Sequence, residues 1–188
     1  MLPHLVNSQA GRNKWTPEFK CCYEVAFDLP AIISAKYGDD RTLLTEHVLS
    51  VSGLDALDKS PEADAQKFMG TSRSYLKPTV GDTYADITVK FSLNLRNGTD
   101  NYIYKMLRDW ARLGYNIATG ERHLKADYCA DWMKVREGNP AGDVFREVLF
   151  KDVMLTKISG LSELSYEDDS VLELEATFRT DWWDDITA

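Results

Sequence analysis

The chain contains several segments in which apolar and polar side chains alternate, as they do along a β-strand with one buried face. The last of them runs from Val171 to Asp185, where one parity is mostly apolar and the other is mostly charged or polar. The apolar parity consists of Leu172, Leu174, Ala176, Phe178 and Trp182. We therefore predict a closing strand with one face in the core.

Three earlier segments show the same alternation. Residues 85–98 carry it most regularly, with an apolar parity of Ile87, Val89, Phe91, Leu93 and Leu95. Residues 19–28 carry it on Phe19, Cys21, Tyr23, Val25 and Phe27. Residues 45–55 resume the alternation after a turn at Pro30 and a break at Gly38. These segments predict three further strands.

An amphipathic helix is predicted directly after Asn97-Gly98. Its apolar residues recur every three to four positions, which places them on one face of a helix. They are Ile103, Met106, Leu107, Trp110 and Leu113. Thr99 or Asp100 is the predicted N-cap, and Gly114 stands where glycine is favoured at a helix C-terminus.

Two more strands are predicted in residues 123–137 and 145–160. In the first, one parity holds Leu124, Ala126, Tyr128, Ala130 and Trp132. In the second, the parity of the apolar residues changes near Lys151 and Asp152. A β-bulge produces such a change, and so does a strand whose second face is covered by another subunit. The second interpretation makes Val148 and Phe150 candidate contacts between subunits.

Residues 55–83 form an irregular excursion between two predicted strands. A stretch of this length inside a compact domain is usually functional. Its apolar residues are too numerous for a free loop and too irregular for a separate domain. We predict that the excursion contacts a neighbouring subunit or ring. The candidate contact residues in and beside it are Leu57, Phe68, Met69, Tyr75 and Leu76.

The elements together predict a mainly β fold. Six or seven strands follow one another through connections that suit antiparallel pairing, and one helix interrupts them. The predicted architecture is an antiparallel β-sandwich or barrel with one flanking α-helix. The length of 188 residues suits a single domain, 1–188, with a long excursion at about residues 55–83.

Composition narrows the class of protein. The 22 basic and 30 acidic residues give a formal net charge of -8, which disfavours a protein that grips the phosphates of nucleic acid. No apolar run reaches the roughly 20 residues that span a bilayer, and the first residues lack the apolar region of a signal peptide. The three cysteines, Cys21, Cys22 and Cys129, lack metal-site spacing. We therefore expect a protein made and kept in the cytoplasm with reduced thiols.

The sequence carries no recognisable catalytic or metal-binding motif. The histidines His4, His47 and His123 are scattered without ligand spacing. The carboxylate clusters at residues 39–40, 167–169 and 181–185 lack the alternating ligands and closing glutamate of a calcium loop. We therefore predict that the chain is not an enzyme and needs neither a metal nor a cofactor.

The order of these elements resembles that of the tail tube proteins of contractile-tailed bacteriophages. The resemblance runs from FKCCYEVAFDLP through TEHVLSVSGLD and a long loop to GDTYADITVKFSLNLRNGTDNYIYKMLRDWARL. It is most specific at the end, in KDVMLTKISGLSELSYEDDSVLELEATFRTDWWDD, where a strand, a turn at Gly160, an acidic segment and a strand finishing in Asp181-Trp182-Trp183 follow one another. The excursion at residues 55–83 and the turn at residues 138–140 are longer than the family leads us to expect.

This resemblance implies hexameric rings that stack into the hollow inner tail tube, the conduit for DNA ejection. The implied partners are other copies of the chain, the tail sheath, baseplate, tape measure and tail terminator proteins, and double-stranded DNA that passes without specific binding. No membrane is involved, and the implied location is the virion tail, assembled in the host cytoplasm. A lumen lined with carboxylates offers the DNA no cations to hold it. The lumen charge candidates are Asp127, Asp131, Glu173 and Glu175.

Two alternatives stay open on the sequence alone. The first is a tube protein of a type VI secretion or extracellular contractile injection system, similar to the haemolysin-coregulated protein, which shares the fold but carries proteins. The second is a ligand-binding β-sandwich that uses Trp132, Trp182 or Trp183 as a stacking platform in a concave pocket. The genes beside this one distinguish the first alternative from a phage tail, and electron microscopy for rings or tubes tests the second.

Overall fold

The computed structural model describes residues 21–38, 41–57, 63–69, 71–76, 84–93, 101–160 and 171–187. The strands are β1 (Tyr23–Phe27), β2 (Val48–Ser52), β3 (Ala63–Phe68), β4 (Thr71–Leu76), β5 (Ala85–Ser92), β6 (Ala130–Gly138), β7 (Val144–Ser159) and β8 (Glu173–Thr187). The helices are α1 (Ala31–Tyr37), α2 (Arg41–Glu46), α3 (Tyr102–Gly114) and α4 (Lys125–Tyr128), with a 3-10 helix over Leu54–Leu57. None of these helices is long and apolar enough to cross a membrane.

Six strands form one antiparallel sheet in the order β1-β6-β7-β8-β5-β2, which curls into a nearly closed barrel. Phe27 on edge strand β1 shows the curvature, because its ring lies 5.9 Å from Phe91 on β5 and 5.5 Å from Phe178 on β8. Helix α2 packs on edge strand β1 and leads directly into the other edge strand, β2. The predicted mainly β fold class is thus confirmed.

The barrel interior follows the alternation read from the sequence. The register pairs Ile87 of β5 with Phe178 of β8, and Phe91 of β5 with Leu174 of β8. All four side chains are buried. Burial of one such side chain contributes about 1.5–3 kcal/mol, so this pair of strands forms a large part of the core.

Helix α3 closes the core with the apolar stripe that the sequence predicts. Its five predicted apolar residues are all buried, and Trp110 packs on Phe178 with ring centroids 5.5 Å apart. The indole Nε1 of Trp110 donates a hydrogen bond of 2.7 Å to the carbonyl oxygen of Tyr128. The N-cap is Asn101, whose side chain accepts from the Tyr104 N–H, instead of the predicted Thr99 or Asp100, which lie outside the described residues.

Strand β7 changes its buried face at Asp152. This residue has a left-handed backbone (φ 53°), and the buried side chains pass from Val148 and Phe150 before it to Val153 after it. The register with β6 and β8 continues through this point, so the change is a local kink; a register shift follows between Leu155 and the next paired residue. Val148 and Phe150 therefore belong to the subunit's own core, and the prediction that they contact another subunit is wrong.

The neighbouring strands change face beside the same kink. On β8 the buried parity ends at Thr180, after which Trp183 packs against the core and Trp182 is exposed. On β6 the buried residues are Ala130 and then Met133, so Trp132 falls on the opposite face from the core. The prediction that Trp132 and Trp182 share the core parity is therefore wrong.

Short elements account for the other differences from the sequence prediction. Residues 31–37 and 41–46 are helical, whereas only one helix was expected. Residues 125–128 form a helical turn before β6 instead of the start of a strand. Within the excursion at residues 55–83, predicted to be irregular, β3 and β4 form a separate two-stranded antiparallel sheet.

A close backbone approach makes Gly53 a sensitive position. Its φ is 96°, and a Cβ there would stand 2.4 Å from the carbonyl oxygen of Asp86. We expect Gly53→Ala to lower the free energy of unfolding by about 3 kcal/mol or more, because both the backbone conformation and the contact become strained. Gly142→Ala is the matched control, since Gly142 has a similar φ of 93° with nothing within 4 Å. Equal losses of stability in chemical denaturation would contradict the steric argument.

Helices α1 and α3 are joined through the Asp109 carboxylate. It accepts hydrogen bonds of 2.5 Å from both the Lys36 ammonium and the Tyr37 hydroxyl. Burial opposes ionisation of Asp109, but the bonds from Lys36 and Tyr37 outweigh it and hold the pKa of this carboxyl below its ordinary value. Burial, and then the bond to Asp109, raises the pKa of Tyr37.

This junction predicts a stability that depends on pH. Because the pKa of Asp109 is lowered on folding, its contribution is complete above the ordinary aspartate pKa of about 3.9 and is lost as pH falls through the folded-state value. We expect Asp109→Asn to cost about 2 kcal/mol at pH 7 and to reduce the acid-induced loss of stability. Asp55→Asn, which removes an exposed carboxylate, is the control in thermal unfolding from pH 7 to pH 2. An unchanged acid slope in Asp109→Asn would contradict the assignment.

Candidate functional site

The candidate functional sites among the described residues are two exposed surfaces. Among them, no group of three or more His, Cys, Asp or Glu side chains could hold a metal ion. All three cysteines are free, and burial raises the pKa of the Cys129 thiol, which disfavours the reactive thiolate.

The outer side of β6, β7 and β8 combines apolar and charged side chains. The register aligns Trp132, Lys151 and Trp182 across the three strands, and it places Asp184 opposite Leu149. Side chains that are aligned in this way share one face of a sheet. We call the set of Trp132, Leu149, Trp182 and Ile186 the outer tryptophan face. Trp182 and Ile186 are each 49% exposed, so the face is accessible to a partner.

Three of the charged side chains beside the outer tryptophan face, Lys134, Arg136 and Glu147, are joined by ion pairs within the subunit. Glu147 accepts from Arg136 at 2.7 Å and lies 3.0 Å from the Lys134 ammonium. The bond from Arg136 is the main reason that the pKa of Glu147 is lowered. Lys134 also lies 5.6 Å from the ring centroid of Trp132. The face therefore presents exposed tryptophan and isoleucine side chains among charged ones, a mixture that suits a protein partner.

The hairpin of β3 and β4 is the second candidate surface. Its described side chains are exposed on both faces, and Met69, at the end of β3, is 91% exposed with a φ of 44°. Tyr75 and Leu76 are exposed as well. An isolated two-stranded hairpin is marginally stable in water, so a partner that covers it would stabilise it.

The excursion's candidate contact residues are thus divided between core and surface. Met69, Tyr75 and Leu76 are accessible for contact. Leu57 is only 2% exposed and packs in the core, so its proposed contact with another subunit is wrong. The backbone of Phe68 lies in β3, and its side chain is outside the described residues.

The lumen charge candidates lie in different parts of the fold. Glu173 and Glu175, on β8, both face Lys90 of β5, at 2.9 Å and 3.7 Å. The hydrogen bond that Lys90 donates to Glu173 is the main reason that the pKa of Lys90 is raised. Asp127 accepts a hydrogen bond from the Leu124 N–H at the start of α4, and Asp131 is exposed on β6. Glu173 and Glu175 therefore share Lys90 as a common partner, whereas no such shared partner is seen for Asp127 and Asp131 among the described residues.

Sequence reasoning missed the outer tryptophan face as a unit. The signal was present, because Trp182, Asp184 and Ile186 alternate with Trp183 and Asp185. Extending the alternation of Leu174 to Phe178 as far as Trp182 places Trp182 on the buried face. This is wrong because the buried face of β8 changes after Thr180. Alternation read separately on each side of Thr180 would have found it.

The comparisons with known proteins support the fold. No family model and no curated protein matches the chain. Among solved structures, a chain of the anti-feeding prophage tube terminating cap is similar at 14% identity and TM-score 0.57, covering 93% of both chains. A chain of the extended sheath-tube complex of an extracellular contractile injection system is similar at 14% identity and TM-score 0.56, covering 96% of this chain and 97% of that one. A chain of that system's sheath/tube terminator has 13% identity and TM-score 0.56, with coverage of 92% and 99%.

These similarities extend over nearly the full length of each chain. They show that this chain has a tail-tube-like fold, as the order of elements in the sequence predicts.

Proposed function

We propose that this chain is a structural tube subunit of a contractile tail, in which hexameric rings stack into a hollow tube. The observation that carries the proposal is the nearly closed barrel with its flanking helix, which aligns over more than nine-tenths of chains from a tube terminating cap and a sheath-tube complex. The exposed outer tryptophan face and the hairpin supply the surfaces that such an assembly needs.

The positions of the tryptophans favour assembly over the ligand-binding alternative. Trp132 and Trp182 lie on the outer face of a sheet, and Trp183 packs against the core. A stacking pocket would instead bring such rings together in a concave cavity.

Negative-stain electron microscopy and mass photometry of the purified protein test the proposal. We expect ring-shaped particles with the mass of six chains, and tubes at higher protein concentration. A monomer at all concentrations, with native circular dichroism, would contradict it.

The particle that contains the tube is a separate question. On the bacteriophage interpretation the tube conducts DNA, and the sheath, baseplate, tape measure and tail terminator are its partners. An extracellular contractile injection system, to which two of the similar solved structures belong, is the alternative. Particles purified from the source organism distinguish the two, since a phage tail is joined to a DNA-filled capsid and an injection system is not.

The lumen of a DNA-conducting tube is predicted to be net negative. Debye screening limits the reach of each charge to about 8 Å at physiological salt, so only carboxylates at the lumen surface act on DNA. We expect the charge reversal Glu173→Lys/Glu175→Lys to slow DNA ejection and to increase its dependence on salt if β8 lines the lumen. Asp127→Lys/Asp131→Lys, which reverses the same number of charges at the other pair of lumen charge candidates, is the comparison. Equal ejection rates from both variants and the parent phage would contradict a role of the carboxylates in DNA passage and would indicate that the acidic charge serves solubility.

A further inference from the structure

Two neighbouring cysteines, Cys21 and Cys22, come directly before strand β1. Successive side chains of a continuous strand point to opposite faces, and the alternation read over residues 19–28 predicts this for the two cysteines. The strand instead begins at Tyr23, and Cys21 lies in a turn. The Sγ atoms of Cys21 and Cys22 lie 4.0 Å apart, so the two thiols face each other.

The two thiols differ in their accessibility. Cys21 is exposed, whereas Cys22 is half-buried. The carbonyl oxygen of Cys22 accepts a hydrogen bond of 2.8 Å from the N–H of Gly138, which fixes this residue to the end of β6. Burial, followed by the hydrogen bond and the charge of Cys21, raises the pKa of the Cys22 thiol. A thiol-reactive compound therefore meets Cys21 first, with Cys22 held beside it by the sheet.

We propose that Cys21 and Cys22 form a reversible thiol–disulfide exchange site for low-molecular-weight disulfides such as glutathione disulfide. In the first step the Cys21 thiolate attacks one sulfur of the reagent, whose S–S bond breaks. One reagent thiol is released, and a mixed disulfide remains on Cys21. In the second step the Cys22 thiolate attacks the Cys21 Sγ and releases the other reagent thiol. Each cysteine loses one hydrogen, and the two electrons reduce the reagent to two thiols.

The resulting disulfide between neighbouring residues should be easily reduced. Neighbouring Cα atoms are about 3.8 Å apart across a trans peptide, whereas most disulfides join Cα atoms that are about 4.4–6.8 Å apart. A bridge at this position is therefore strained, and strained or exposed disulfides are the labile ones. The site suits reversible modification better than a permanent structural bridge.

The position of the pair allows the disulfide to form without loss of strand β1. The ring that the bridge closes contains the peptide between Cys21 and Cys22, but it does not contain the Cys22 carbonyl that binds Gly138. The pairing of β1 with β6, which starts at Tyr23 with Glu137, also lies outside the ring. We therefore expect the oxidised and reduced proteins to have the same circular dichroism.

Mass spectrometry of the full chain tests the proposal. The folded, reduced protein is incubated with glutathione disulfide, treated with N-ethylmaleimide and digested with trypsin. Cleavage after Lys20 and Lys36 releases one peptide that holds both Cys21 and Cys22, whereas Cys129 lies in another peptide. We expect the first peptide to lose two hydrogen atoms and to gain neither glutathione nor N-ethylmaleimide. Dithiothreitol should restore both thiols.

Two variants separate the steps of the exchange. Cys22→Ser should stop at the mixed disulfide, so glutathione stays bound to Cys21. Cys129→Ser, which removes the third free cysteine, is the control and should form the bridge as the parent chain does. An unreacted pair, a mixed disulfide that persists on the parent chain, or disulfide-linked dimers in place of the internal bridge would each overturn the proposal.

The isolated peptide of residues 21–36 measures what the fold contributes. We expect the bridge to form at least about tenfold faster in the folded chain than in this peptide, because the fold holds the two sulfurs close together. Equal rates would overturn the assignment of the site to the turn before β1. Neither measurement requires assembly, so the outcome is independent of the proposed function.

Discussion

Replacing Trp182 and Ile186 by lysine should convert rings into folded monomers. Both side chains lie on the outer tryptophan face and are half exposed, so their loss removes little of the core. In an interface, anchors of this kind are typically worth about 2 kcal/mol or more each, so the double variant should weaken association about a thousandfold. Mass photometry measures the distribution of masses, and thermal unfolding shows that the fold is kept.

The matched control is Leu49→Lys/Val171→Lys. It introduces the same two charges at exposed apolar positions on β2 and before β8, outside the outer tryptophan face. We expect rings from this control at the wild-type concentration. Rings of equal stability from Trp182→Lys/Ile186→Lys would show that another surface joins the subunits.

The parts of the fold that the sequence predicts well are those in which local pattern and burial coincide. Strand β5 alternates over eight residues, and all four of its inward side chains are buried. Helix α3 carries its apolar stripe through thirteen residues. In both elements each residue's environment depends on its position along one regular element, so a single sequence suffices to assign it.

The short helices could not be predicted in the same way. Helices α1 and α2 have seven and six residues, too few for a helix to be stable from its own hydrogen bonds. Ile33 and Leu44 are fully buried, so tertiary packing stabilises these helices. Such packing depends on strands that are distant in sequence.

The prediction that Val148 and Phe150 contact another subunit is wrong for a related reason. The apolar residues of β7 do change parity, but the kink at Asp152 turns Val148, Phe150 and Val153 toward one core. The neighbouring strands β6 and β8 change face at the same level, which no pattern within one strand reveals. Only the paired register shows that Trp132 and Trp182 are displaced together to the outer face.

The sequence pattern does not predict the β3–β4 hairpin, because neither of its faces is buried. Alternation identifies a strand by the contrast between a buried, apolar face and a solvent-exposed, polar face. The described side chains of β3 and β4 are exposed on both faces. Its backbone pairing from Ala63 with Leu76 to Phe68 with Thr71 is nevertheless regular. This exposure on both faces is the reason that we propose the hairpin as a contact between subunits or rings.

Deleting residues 59–77 should therefore leave a folded subunit that no longer polymerises. The deletion keeps Leu57, which is buried in the core, and removes both strands of the hairpin with a short Gly-Ser linker in their place. The barrel keeps its six strands, so we expect thermal unfolding close to that of the full chain. Tubes should be absent in electron microscopy at concentrations where we expect the full chain to form them, because the proposed contact between neighbouring subunits or rings is lost.

Point variants separate the hairpin's contacts from its length. Met69→Ser/Leu76→Ser removes two exposed apolar side chains from an intact hairpin, and it should shorten tubes without destabilising the barrel. Val171→Ser, at an exposed apolar residue outside the hairpin, is the control. Rings that persist while tubes disappear would place the hairpin between rings, whereas loss of both would place it between neighbours within one ring. Tubes of normal length from the deletion would contradict either role and leave the hairpin as an appendage without a part in assembly.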